Sequence, residues 1–146
     1  MAELTLHQAQ AILAGATQFA RTQNFMPLLI LVLDARATPK ACAAEDGTSL
    51  GRFDVAHGKA NGALAMGMGS RTLAKRARDL PVFFASLTTL ISGGLALGPG
   101  GVLIRDTAGA IIGAVGISGD TGDNDEKAAI AGIHAAGLEA DPGSDS

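Results

Sequence analysis

Leu28 to Leu33 is an unbroken run of Leu, Ile and Val between Pro27 and Asp34, and it limits the folds open to this chain more than any other segment. Six residues are too few for a globular helix, whereas a strand with no polar position must have both faces covered. The chain therefore needs a sheet flanked on each side. The 25 residues from Leu80 to Ile104 carry no charge, yet they contain two prolines and five glycines, so they break into short elements and do not form a membrane-spanning helix.

The remaining elements follow from periodicity. Leu6, Ala9, Leu13, Ala16 and Ala20 give one apolar helical face from Thr5 to about Gln23, and Thr5 with Gln8 forms a capping box. A turn through Arg36 to Pro39 leads to a weaker strand, Lys40 to Ala44. A second helix runs from Ser49, its expected N-cap, to about Gly67, and a short basic helix covers Ser70 to Arg78. Val82 to Leu90 fits either a strand or a helical turn. Leu95 to Leu97, Val102 to Arg105 and Ala110 to Ser118 read as three strands separated by tight turns, which favours antiparallel neighbours. A last helix begins near Asp123, with Glu126 completing a capping pattern, and ends near Ala136. The expectation is one α/β domain of the α+β kind over residues 1–139, built on an antiparallel sheet, with residues 140–146 as a disordered tail.

With 20 Gly, 5 Phe and neither Trp nor Tyr, the domain has little aromatic mass to bury, which favours added stability from self-association. A net charge of -3 excludes a nucleic-acid footprint over the whole surface. The charge is nonetheless divided: eight basic residues face three acids between Arg36 and Arg78, while seven acids face Lys127 alone from Gly119 onward. The start, MAELTLHQAQ, lacks a basic leader region, so a cytoplasmic location is expected, with no membrane partner. The single cysteine, Cys42, reads as a small buried side chain.

Three groups could carry chemistry. His57 shares a helical face with Phe53, Ala60 and Leu64, where a buried imidazole needs a hydrogen-bond partner or a ligand. Arg52 and Lys59 are two helical turns apart and project to about the same side, a spacing that suits a carboxylate-bearing small molecule or simply a wet helix face. Gly119, Asp120 and Thr121 lead from a strand into a capped helix whose free amides could receive an anion, although Asp120, Asp123 and Asp125 crowd the same end. Gly58 and Gly62, four apart, would let a neighbouring element approach the second helix closely. Met66 and Met68 fit an apolar pocket or a plain helix end.

The order and spacing of LTLHQAQAIL, LVLDARATPKACAAEDG, FDVAHGKANGAL, GPGGVLI and GAIIGAVGISGDTGDNDEKAA resemble the GlcG/HbpS family, which also occurs as the C-terminal domain of PduO-type proteins. The likeness extends from about Leu4 to Gly137. It implies a profilin-like fold with a five-stranded antiparallel sheet flanked by helices, and a homodimer or larger homo-oligomer. It also implies a haem-binding or small-ligand-binding protein without enzymatic activity, with His57 as the candidate iron ligand. Arg52 and Lys59 would then be carboxylate partners, and Gly119, Asp120 and Thr121 a backbone contact region. The alternative is an enzyme or enzyme accessory for a small organic acid in a catabolic pathway, with His57 as acid and base; purely structural association is a third reading. The chain departs from the family pattern at Ala43-Ala44-Glu45-Asp46-Gly47, where an Arg usually precedes the Asp-Gly turn, and at Gly100 to Ile104, where GGxPI is usual.

Overall fold

A computed structural model describes residues 3–146. The element order is α1 (Leu6–Thr22), β1 (Leu29–Asp34), β2 (Pro39–Ala44), α2 (Arg52–Met66), α3 (Ser70–Asp79), α4 (Pro81–Leu90), β3 (Gly101–Arg105), β4 (Ile111–Ser118), α5 (Gly122–Ala135) and β5 (Glu139–Asp141). The strands form one antiparallel sheet in the order β2-β1-β4-β3-β5, flanked by helices as the family resemblance implies. β1 lies inside that sheet, and alternation divides its side chains between two cores. Ile30 and Val32 join Val115, Ile117 and the apolar faces of α1 and α5 on one side. Leu29, Leu31 and Leu33 meet Ala56, Ala60 and Ala63 of α2 on the other. The long Leu/Ile/Val run is thus a consequence of cover on both faces.

Small residues set the spacing of these layers. A Cβ at Gly116 would collide with the Ala56 carbonyl, so α2 rests almost directly on β4. At Gly58 and Gly62 of α2 the close neighbour is the Leu95-Ala96 segment, whose Ala96 amide donates to the Gly58 carbonyl at 3.1 Å. That packing explains why Leu95 to Leu97 does not form the expected strand: its backbone and side chains serve α2 instead. The fifth strand is β5, which pairs with β3 through Leu103 and Asp141, while Arg105 holds Asp141 at 2.9 Å.

Several other local expectations change. Val82 to Leu90 belongs to α4, with Pro81 in its first turn, where a missing amide costs nothing. Helix α2 starts at Arg52 without a side-chain cap from Ser49, and α5 is capped by Thr121, whose hydroxyl accepts from the Asn124 amide. The predicted capping box of α1 is present in both directions. Residues 140–146, expected as a tail, contain the end of β5 and then run against α3. There the Ser144 amide donates to Thr72 Oγ1 at 2.9 Å, and Arg71 joins Asp145 at 2.9 Å and Glu126 of α5 at 2.9 Å. Cys42 is exposed, on the edge strand β2. No described helix is long and apolar enough to cross a membrane.

Candidate functional site

Register brings the site's backbone together. Leu29 lies opposite Ala44 on one side and Ser118 on the other, so the start of β1 and the ends of β2 and β4 share one end of the sheet. Helix α2 begins over this end. Arg52, in its first turn, is part-buried and donates through Nη1 to Ser118 Oγ at 3.3 Å. The adjoining turn after β2 is fixed by Glu45, whose carboxylate accepts from the Leu28 amide at 2.9 Å and pairs with Arg21 at 2.9 Å.

Phe53 and His57 follow at helical i,i+4 spacing, with ring centroids 5.8 Å apart and planes inclined by 20°. The apolar face expected from Phe53, His57, Ala60 and Leu64 is therefore graded: Ala60 is sealed in the core, while His57 is half-buried and Phe53 reaches the surface. Among the described residues neither imidazole nitrogen has a hydrogen-bond partner, and no buried polar side-chain atom is left unsatisfied. The nitrogens of His57 are consequently open to solvent or to a ligand.

Lys59 does project to the Arg52 side, but inward. Its Nζ donates to the Ile117 carbonyl at 2.9 Å and to Asp125 Oδ2 at 3.1 Å, with both side chains buried. Burial pulls the Lys59 ammonium below its usual value and pushes the Asp125 carboxyl above its own, each opposed by the partner's charge. The lysine is committed to the protein's own carboxylate. Of the two cations read from the sequence as carboxylate partners, only Arg52 remains near the surface.

The amides of Asp120 and Thr121 are likewise engaged. Asp120 N–H donates to Asp125 Oδ1 at 2.9 Å, and Thr121 N–H donates to Asp120 Oδ1 at 2.7 Å. Asp120 Oδ2 accepts from the Met26 amide at 2.7 Å, and these backbone donors hold its carboxyl below the ordinary carboxylate range. Gly119 is packed so tightly on Pro27 that a Cβ would strike the Pro27 carbonyl. This loop is a lock between β4, α5 and the entry to β1. Sequence reasoning missed Ser118 beside Arg52 and Asp125 as the partner of Lys59; both lie 66 residues from their partners, so only the fold brings them together.

No group of three or more His, Cys, Asp or Glu suited to a metal ion occurs among the described residues. Imidazole is one of the side chains that hold haem iron in proteins, and His57 is the imidazole of this helix. The first turns of α2 thus hold an open imidazole stacked on a phenyl ring and a part-buried guanidinium turned toward Ser118.

The crystal structure of HbpS is 25% identical and superposes with a TM-score of 0.78 over 92% of this chain and 90% of that one. A double mutant of Streptomyces reticuli HbpS is 27% identical, with a TM-score of 0.78 over 92% of this chain and 87% of that one. A PduOC–haem complex, 23% identical, superposes with a TM-score of 0.83 over 94% and 97% of the two chains and shows the shared fold. Among curated proteins, none matches this sequence. Residues 4–134 match the family described as haem degrading protein HbpS-like, and the chain belongs to that HbpS-like family.

Proposed function

We propose that this protein binds a planar, carboxylate-bearing ligand of the haem type on the surface formed by Arg52, Phe53 and His57, and that it does so as a homo-oligomer. The observation that carries the reading is the Phe53–His57 stack, with both imidazole nitrogens free of intramolecular partners among the described residues. A neutral ring nitrogen of His57 would hold the iron, and Phe53 would lie against the edge or face of the macrocycle. The Arg52 guanidinium offers a forked donor to one propionate. Bound haem would supply a redox-active iron; the chain's own residues bind, orient and shield it. Lys59 contributes indirectly, by fixing α2 on β4 and α5. The haem complex recorded for the PduOC relative supports the ligand class.

Exposed apolar side chains beside the same site favour self-association there. Leu50 is 99% exposed, and Phe53 and Val55 are 42% and 40% exposed around the start of α2. A second copy covering these side chains would exclude water from the ligand and remove an apolar patch from solvent. Titration with haemin tests the proposal: a saturable Soret band is expected. His57→Ala should alter the iron-coordination spectrum, and Arg52→Ala should weaken binding by about fivefold. Nonspecific absorbance unchanged by both substitutions would overturn it.

A further inference from the structure

At the far end of α2, about 20 Å from Arg52 along the helix, a cleft of about 490 Å³ opens between α3 and α4. Its apolar walls include Met66, Met68, Phe83 and Phe84. Phe84 is buried and holds Phe83 edge-on, with centroids 5.6 Å apart at 86°. Two thioethers and two phenyl rings accept apolar groups of varied shape, because methionine adapts its three torsions to the occupant. The volume falls in the range of small-molecule sites.

Of the cations on the rim, one is unpaired, and Ser146 at the end of the chain lines the cleft beside it. Lys75 is paired with Asp79 one turn away on α3. Arg71 is held by Asp123, Glu126 and Asp145, and Arg78 approaches Asp145 at 3.6 Å. Arg76, which lines the cleft, has no carboxylate within ion-pair distance among the described residues. Helix α4 adds no charge of its own.

We propose that this cleft is a second ligand site, separate from the α2 surface, which takes a small amphipathic carboxylate: one carboxylate head on an apolar tail. The guanidinium of Arg76 receives the head through paired N–H donors, and the tail lies between Met66, Met68 and the two phenyl rings. The one unpaired guanidinium matches a single carboxylate head, and the carboxylates of Asp79 and Ser146 on the same rim disfavour a doubly charged one.

Methionine-methyl NMR on the full chain tests this directly, with octanoate as the probe and 1-octanol as its uncharged counterpart. The Met66 and Met68 methyl signals should shift saturably with octanoate while that of Met26 stays fixed, which also reports that the fold is intact. Arg76→Gln should weaken octanoate binding by about fivefold and leave 1-octanol binding unchanged. Phe83→Asp, which places a second acid on the wall, should abolish both. Haemin titration should be insensitive to Arg76→Gln, so failure at this cleft is distinguishable from failure at the α2 surface. Absence of saturable Met66 and Met68 shifts, or octanoate binding equal in wild type and Arg76→Gln, would overturn the proposal.

Discussion

Lys59 Nζ lies 3.1 Å from Asp125 Oδ2 and 2.9 Å from the Ile117 carbonyl, so one buried ammonium joins α2, α5 and β4. Lys59→Met leaves the Asp125 carboxylate inside the protein without its counter-charge. The expected cost is about 3–5 kcal/mol of unfolding free energy. Replacing both residues by apolar groups should recover part of that loss, the remainder being the Asp120 amide that then lacks its acceptor. Urea denaturation of the single and double variants measures both terms, and a single variant as stable as wild type would refute the account.

Asp120 gives the acid limb of stability a definite sign. Amide donation from Met26 and Thr121 lowers its folded-state value beneath the ordinary 3.8. The unfolded chain therefore binds the proton first, and the stabilisation is complete above 3.8 and lost as pH falls through the folded value. Wild type should lose stability over that window, and Asp120→Asn should show a shallower loss there in thermal melts at stepped pH. Equal acid limbs would exclude the contribution.

The sheet was legible where residues announce their own burial. Leu28 to Leu33 has no polar position, so its placement inside a covered sheet follows from the run itself. Thr5 and Gln8 likewise carry their cap within four residues. Leu95 to Leu97 misled because an apolar triplet looks the same whether it pairs with a strand or packs on Gly58 and Gly62. Glu139–Asp141 carries no apolar signature, and its place in the sheet depends on β3 and on Arg105. At the candidate site, helical spacing correctly put Arg52 and Lys59 on one side, whereas the capping pattern pointed to Asp123 and the cap is Thr121. Which cation meets which acid was decided by a strand and a helix 66 positions away, and no local pattern encodes that.

The contact between α2 and the sheet makes a steric prediction. Gly116→Ala sets a methyl against the Ala56 carbonyl on a rigid strand, where neither backbone yields cheaply. A loss of about 1–3 kcal/mol is expected. Gly51→Ala, whose added Cβ meets nothing within 4 Å, should stay within about 0.5 kcal/mol of wild type. Paired denaturation curves check the contrast, and similar effects at both positions would argue against close approach as the role of Gly116.

The proposed assembly and the proposed ligand site would meet at the start of α2. Leu50 is almost wholly exposed, with Phe53 and Val55 beside it. Burying such side chains between two copies contributes about 25 cal/mol per Å² removed from solvent, and the same contact would roof the His57 ring. Light scattering after size exclusion should therefore give a mass at or above twice 14.6 kDa at micromolar concentration. Leu50→Lys combined with Val55→Lys should shift that mass toward the monomer, because two ammonium groups at the contact face their copies across it. The double variant should also bind haemin more weakly while keeping its far-ultraviolet dichroism, since neither side chain is buried in the fold. A stable monomer of wild type over this range would remove self-association from the functional reading. An oligomer indifferent to the double substitution would place the contact elsewhere and leave Arg52, Phe53 and His57 to bind on an open face.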